Sequence, residues 1–502
     1  MKRTTLFGLF CALLCGCQKP APPPSITFGD DLDFLRKYTE IVLLSDERGD
    51  SQAVLVPAYQ GRVMTSTAGG VGGMSFGWIN RDLIAQQRMK PQFNPFGGED
   101  RLWIGPEGGQ FSIYFAKGEK FDLDHWQVPA SIDTEPFTVT AASRDKASFS
   151  RRCQLKNYSG TAFDLEIKRD VRLLDRKQVC RLLGLELPGE PPKAPPTATP
   201  ATAPAAGAKP SDDVVKPAFG PATKPAPKPA DKPAPKPAPK PADKPAPKPA
   251  DKPVDVVKPN FGPAPAATKP VAPAQSAWPP PGAAILNESV KVVAVESTNQ
   301  LVNMGKEPWT KQGGMLSIWI LGMMIASPQN TVIAPYVPGP EDQLGPVVNS
   351  HYFEPAVPPD RLKVGATAVF FKADAGMRTK IGLSPRRARD VIGSYAPEHN
   401  LLTIVQYTKP KGVTDYVNSV WAMQKEPFAG DVLNSYSDGP QGFKSNFYEL
   451  ETSSPAAALK PKEAITHVHR TIHFQGPKEA LDPIARKVLG VGLDEVEKAF
   501  AK

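Results

Sequence analysis

Residues 188–282 constrain this chain more than any other feature, because no regular structure can be drawn through them. Thirty of the 58 prolines in the 502 residues fall in this tract. Its centre repeats Lys-Pro-Ala-Pro-Lys-Pro-Ala-Asp over 224–253. Asp213-Val214-Val215-Lys216-Pro217-Ala218-Phe219-Gly220-Pro221 recurs as Asp255-Val256-Val257-Lys258-Pro259-Asn260-Phe261-Gly262-Pro263. Proline has no amide donor and a fixed φ, so its recurrence blocks helix and sheet ladders alike. With little to bury, the tract is expected to be a disordered, extended, solvated coil of polyproline-II character. It reads either as a spacer or basic arm touching the cell wall or another acidic surface, or as an insertion tolerated in a surface loop. The second is cheap, because lengthening a loop costs little entropy.

The tract also disposes of a nucleic-acid reading. The formal charge is +9, but residues 188–282 contribute +6 through 13 lysines against 7 acidic residues. Lys2 and Arg3 add another +2, which leaves the remainder near +1. A basic balance confined to a proline coil and a leader is no footprint for nucleic acid.

Lys2 and Arg3 precede an apolar run over 6–14. That run falls far short of the ~20 residues that cross a bilayer as a helix, and fits the apolar region of a secretory signal. Leu14-Cys15-Gly16-Cys17 follows, and resembles the lipobox of bacterial lipoproteins. The resemblance implies that Cys17 is acylated and becomes the mature N-terminus, an anchor that multiple acyl chains make stable. An ordinary signal cleaved nearby, or a buried N-terminal helix, are the other readings. The anchored reading places the protein in the cell envelope, on the periplasmic side of a bacterial membrane, the outer one ahead of the inner. Cys11 and Cys15 then leave with the signal. Cys153 and Cys180 remain, either bridged in an oxidising compartment or as two buried thiols. Neither sits in a Cys-x-x-Cys pattern, so redox and zinc chemistry have no support, and no cofactor is implied.

Both flanks of the tract read as β. Residues 148–171 have hairpin pattern, with a turn at Asn157-Tyr158-Ser159-Gly160 where glycine is free to take positive φ. Further strands are expected at 53–56, 111–115, 137–141, 290–297, 315–321, 366–372, 401–407, 446–451 and 464–474. Helical pattern is confined to 31–38, 479–489 and 494–500. Many short strands between Gly, Pro and Asn turns argue for an all-β sandwich. The expected organisation is signal and lipobox over 1–17 and a tether over 18–26. One sandwich over 27–187 and 283–475 is interrupted by 188–282, with a helical tail over 476–502.

Three segments carry a family resemblance. Val54-Leu55-Val56-Pro57-Ala58-Tyr59-Gln60-Gly61-Arg62-Val63-Met64 is similar to the opening hairpin of galactose mutarotases (aldose 1-epimerases). Phe447-Tyr448-Glu449-Leu450-Glu451-Thr452-Ser453-Ser454-Pro455, with Leu459-Lys460-Pro461-Lys462-Glu463, resembles the closing segment of that superfamily. Gly97-Gly98-Glu99-Asp100-Arg101-Leu102-Trp103-Ile104-Gly105-Pro106-Glu107 resembles a stretch of uncharacterised mutarotase-like lipoproteins. The resemblance implies a galactose-mutarotase-like β-supersandwich with a sugar-sized cleft on one concave face. It puts Glu451 where these enzymes keep a glutamate base. Anomerisation needs such a base and an acid to protonate the ring oxygen. The family's histidine acid falls about where Trp319 stands, and an indole can donate a hydrogen bond but is no general acid. His351, in Asn349-Ser350-His351-Tyr352-Phe353, is the substitute the sequence offers.

Glu99, Asp100, Arg101, Trp103 and Glu107 are expected to line the cleft, since sugar sites pair flat apolar faces with charged hydrogen-bonding partners. The other reading is a structural loop in which Arg101 pairs with Glu99 or Asp100. His125-Trp126, Trp309 and Trp319 are further candidates of this kind, and Asn434, Tyr436 and Asp438 could add polar contacts or simply form a turn. His467, His469 and His473 fall on one face of a strand. They read either as a metal pair completed by Glu463 or Glu451, or as a polar outer face opposite Val468, Ile472 and Phe474. Gly69-Gly70-Val71-Gly72-Gly73 lacks the Gly-Lys-Ser/Thr of a phosphate loop. The expected partners are carbohydrate and, through Cys17, a membrane; a non-catalytic envelope interaction protein is the competing reading.

Overall fold

The computed structural model describes residues 26–189, 278–280 and 282–501. The expected signal, the lipobox with Cys17, and 190–277 lie outside the described residues.

Two large antiparallel sheets form the sandwich. The ten-stranded sheet runs, edge to edge, through Leu362–Val364, Ala368–Lys372, Thr331–Pro335, Val391–Ala396, Leu401–Tyr407, Ala464–Gln475, Lys291–Asn303, Ala162–Leu173, Lys146–Lys156 and Thr138–Ala142. The five-stranded sheet runs through Thr379–Leu383, Leu433–Ser437, Phe447–Ser453, Ser317–Ile325 and Arg101–Gly105. A small sheet of Val42–Ser45, Gln52–Val56 and Arg62–Thr67 completes the set among the described residues. Ala162–Leu173 pairs with Lys291–Asn303 from Leu165↔Asn303 to Leu173↔Val295. Segments from either side of the proline tract are therefore neighbours in one sheet. Glu186 also bridges Ile285.

Alternation decides which side chains enter the interior. From the five-stranded sheet, Tyr448 and Leu450 pack against Val332, Phe371, Ile392 and Val405 of the larger one. On the strand Ala464–Gln475, Ile472 and Phe474 turn outward beneath a helical layer. That layer consists of Arg176–Leu183, Lys478–Leu489 and Leu493–Lys498, whose Val179, Leu183, Leu481, Ile484, Leu489 and Val496 cover the ten-stranded sheet.

The expected hairpin over 148–171 is Lys146–Lys156 with Ala162–Leu173, and Gly160 has φ +99° at its turn. The helices Phe28–Tyr38 and Lys478–Leu489 also stand where the pattern puts them. One expected strand is absent. Residues 111–115 form turns, with Tyr114 donating to the carbonyl of Ile104 and Phe115 packed edge-on to Phe121 and Trp421. A short apolar run serves a packed loop as well as a strand. No disulfide joins Cys153 on Lys146–Lys156 to Cys180 in Arg176–Leu183. Among the described residues, no helix is long and apolar enough to cross a membrane.

Candidate functional site

Strand register assembles one face of the five-stranded sheet. Arg101 lies opposite Leu321, Leu321 opposite Glu451, Glu451 opposite Asn434, and Asn434 opposite Gly382. The next row holds Met323, Glu449, Tyr436 and Lys380, and on the other side stand Trp103, Trp319 and Ser453. Directly opposed residues point the same way, and the intervening Tyr448, Leu450 and Thr452 point into the sandwich. These rows therefore occupy the face turned away from the ten-stranded sheet.

Glu451 sits at their centre and is fully buried. Its Oε2 accepts from the Trp319 indole nitrogen at 3.0 Å and from the Lys380 ammonium at 2.9 Å. Its Oε1 is buried with no hydrogen-bond partner among the described residues. Burial opposes the charge on Lys380, yet Glu451, Glu449 and Glu107 together hold its pKa above the ordinary lysine value. The Lys380 ammonium also stands 5.0 Å from the Trp319 ring centre and 5.5 Å from that of Tyr352. Arg101 stacks over Trp103 at 4.3 Å and lies 3.7 Å from a carboxylate oxygen of Glu449. Its Nε and one terminal nitrogen, like the Trp103 indole nitrogen, are buried without a hydrogen-bond partner.

Tyr352 closes one side. Its hydroxyl is hydrogen-bonded to Asp431 and accepts from Asn434 at 2.7 Å, and burial with the Asp431 charge holds the phenol well above its ordinary pKa. Gly382 is required here, because a Cβ at that position would overlap Tyr352, Asp431 and Asn434. Partly exposed aromatics form the rim: Trp78 against Phe447, Phe93 against Trp103, Phe353 against Tyr436, and Trp421 against Trp126.

Register thus brings Glu451, Arg101, Trp103 and Trp319 together, and Glu107 joins them: its pKa, raised to about 7 chiefly by burial, also feels Lys380, Glu451 and Arg101. Other expected positions lie apart, among them Asp100, which turns inward onto Arg169. The chain turns through Gly97 and Gly98, both at positive φ, and delivers Glu99 inward, where it pairs with His473 Nε2 at 2.7 Å. His351 is exposed on a loop, and its neighbour Tyr352 is the residue that reaches the cluster. His125 pairs with Asp122 and Glu119 in a surface loop, and Trp309 is core packing against Phe163. Asp438 is satisfied by Tyr436 and by the amides of Phe443 and Ser445.

The three histidines of Ala464–Gln475 form neither an outer face nor a metal pair. They point into the sandwich, where Thr452 bonds His467 at 2.8 Å and His469 at 2.9 Å, and Thr403 bonds His473 at 2.8 Å. Among the described residues no group of three or more His, Cys, Asp or Glu is arranged to hold a metal. Beside them Arg169, fully buried, pairs with Asp100 at 2.5 Å and donates to Asn299 at 3.0 Å. Two surface hollows, one around Arg151 and Cys153 and one around Lys363 and Arg486, include none of the cluster.

Lys380 and Glu449 give little sign of themselves in the sequence. The alternation of Thr379, Ile381 and Leu383 would have placed Lys380 on the opposite face, and Glu449 shares a face with Glu451 by period two.

The fold and site define an all-β sandwich protein with a buried, charged, aromatic-rimmed face. The chain belongs to a family of unknown function (DUF6786), which it matches over residues 26–191 and 282–500. No curated protein matches. Among solved structures, the Slr1438 protein from Synechocystis sp. PCC 6803 is 10% identical. The alignment covers 88% of this chain and 96% of that one, with a TM-score of 0.41. A galactose mutarotase-like protein from Lactobacillus casei ATCC 334 is 7% identical over 87% of this chain and 100% of its own, with a TM-score of 0.41. A galactose mutarotase related enzyme from Lactobacillus acidophilus is 7% identical over 87% and 98%, with a TM-score of 0.38.

Proposed function

We propose that the chain is a carbohydrate-binding protein of the bacterial cell envelope, tethered through Cys17, in which Glu451 accepts a proton in aldose 1-epimerase-like chemistry. The carrying observation is the state of Glu451: buried, fixed through one oxygen by Trp319 and Lys380, with the other oxygen unpartnered. A carboxylate so held is a directed acceptor for a hydroxyl proton, and burial strengthens every interaction it makes. The unpartnered nitrogens of Arg101 and Trp103 suit a polyol, whose hydroxyls both donate and accept. The rim of Trp78, Phe93, Tyr352, Phe353 and Trp421 offers flat surfaces for the apolar face of a sugar ring. The strand Phe447–Ser453 that presents Glu451 is also the segment whose sequence resembles the closing segment of galactose mutarotases.

The experiment is titration calorimetry with a panel of free aldoses. At least one is expected to bind, with tryptophan fluorescence changing in parallel and Arg101→Ala weakening binding at least tenfold. No heat with any aldose, from protein shown to be folded, contradicts the reading. The anchor is tested separately by the mass of the mature N-terminus. An acylated Cys17, with Cys17→Ser released into the soluble fraction, is the expected result; an unmodified N-terminus elsewhere is the opposite one.

A further inference from the structure

The cluster around Glu451 carries more acid than base. Glu107, Glu449 and Glu451 share it with two cations, Arg101 and Lys380. Asp431, bonded by Tyr352 and Asn349, is a further carboxyl beside Lys380, raised by burial against the pull of those two hydrogen bonds. Fully ionised, the group would leave uncompensated charge in a buried site, and proteins avoid that cost by holding protons. At least one carboxyl is therefore neutral.

Glu451 already receives an ammonium and an indole on one oxygen. Asp431 likewise receives a hydroxyl and an amide. Glu107 stands at the rim, where burial raises it to about 7, so it holds part of a proton at neutral pH and less of one than Glu449. Glu449 is 7% exposed, and Arg101 approaches it only to 3.7 Å, long for a charge-assisted hydrogen bond. It lies two residues before Glu451 on the same strand and face, beside Tyr436 and Met323.

We infer that Glu449 holds a proton at neutral pH and is the acid partner of Glu451, taking the role that Trp319 cannot fill. This rests on the carbohydrate reading above. Burial, then the charge of Glu451, push Glu449 up to about 8 against the pull of Arg101 and Lys380, with Asp438 adding to the rise. Two carboxyls whose surroundings drive them apart make an acid and a base.

The step balances without a redox partner. Glu449 gives its proton to the ring oxygen as Glu451 takes the proton of the anomeric hydroxyl. The bond between the anomeric carbon and the ring oxygen breaks with its electron pair going to that oxygen, and a carbonyl forms at the anomeric carbon. Rotation about the adjacent carbon–carbon bond turns the other carbonyl face to the ring hydroxyl. Reclosure returns a proton to the new anomeric oxygen from Glu451 and one to Glu449 from the attacking hydroxyl.

Infrared spectroscopy of the whole protein at pH 7 reads the proton directly. The parent is expected to show a carboxylic-acid carbonyl band that loses a larger share in Glu449→Gln than in Glu107→Gln, whose group is about half protonated at that pH. Glutamine is isosteric with the neutral acid; should that variant not fold, Glu449→Asp is expected to shift the band. In polarimetry Glu449→Gln is expected to lose about a hundredfold in mutarotation rate while still binding the aldose. A band that Glu449→Gln leaves unchanged, or that Glu107→Gln abolishes, overturns the assignment. If the parent shows the Glu449 band and binds no aldose, the carbohydrate reading falls and the catalytic role with it, but the location of the proton stands.

Discussion

Trp319 donates its indole N–H to Glu451 at 3.0 Å, on the carboxylate oxygen that Lys380 also reaches at 2.9 Å. At the position where the mutarotase resemblance expects an acid, the chain has an indole that donates to a carboxylate and is no general acid. The pairing saturates one oxygen of Glu451 and leaves the other open, so the carboxylate has a direction as well as a charge.

Lys380 is the cation paired with Glu451, at 2.9 Å. In Lys380→Met, a buried carboxylate loses its cation, and removing one member of a buried pair costs about 3–5 kcal/mol. Urea denaturation at pH 7 is expected to show that loss. A change below 1 kcal/mol contradicts the assignment of Lys380 as the partner.

Gly382 has no room for a methyl group, with Tyr352, Asp431 and Asn434 occupying the space. Gly382→Ala forces those side chains apart at a cost of about 1–3 kcal/mol, typical of overpacking. Because Tyr352 and Asn434 border Glu451, aldose binding is expected to weaken along with stability. Unchanged affinity would mean that this side of the cluster does not meet the ligand.

The sequence showed the sandwich more clearly than the site. Long alternating strands such as Ala162–Leu173 and Ala464–Gln475 announce themselves, because a half-buried strand must alternate. Arg101–Gly105 and Leu433–Ser437 are buried throughout, which erases the alternation, and Thr379–Leu383, which keeps it, is only five residues long and too short to stand out. Three of the five strands bearing the site were thus hidden, and Lys380 with them. Glu451 stood out through its motif. Glu99 misled because a glycine turn, invisible as a direction in sequence, sends it to the opposite face from Arg101.

His467 and His469 give the fold a pH signature. Burial pushes them down to about 3 and about 4, against about 6.5 in an unfolded chain. Both are neutral when folded, so unfolding takes up protons below that value. Their contribution is whole above about pH 6.5 and is lost as pH falls, toward about 3 for His467 and about 4 for His469, at about 1.4 kcal/mol per pH unit for each. Denaturation curves at several pH values should fall less steeply for His467→Gln than for the parent by that increment. Equal slopes would show that His467 titrates normally in the fold.

The ends of the proline tract meet where the Glu186 amide donates to the Ala284 carbonyl at 2.9 Å. Replacing residues 190–277 by a linker of some ten residues shortens the loop by about three doublings, at about 0.6 kcal/mol each. The shortened protein is expected to be as stable as the parent or up to about 2 kcal/mol more so. A drop in melting temperature would mean that the tract contributes to the folded part.

Polarimetric mutarotation of the aldose that binds, run side by side with the parent and Glu451→Gln, decides whether Glu451 takes part in the chemistry. The parent is expected to speed equilibration above the buffer rate, and the variant to lose about a hundredfold or more of that acceleration while remaining folded. Equal rates for the two proteins would remove Glu451 from the chemistry.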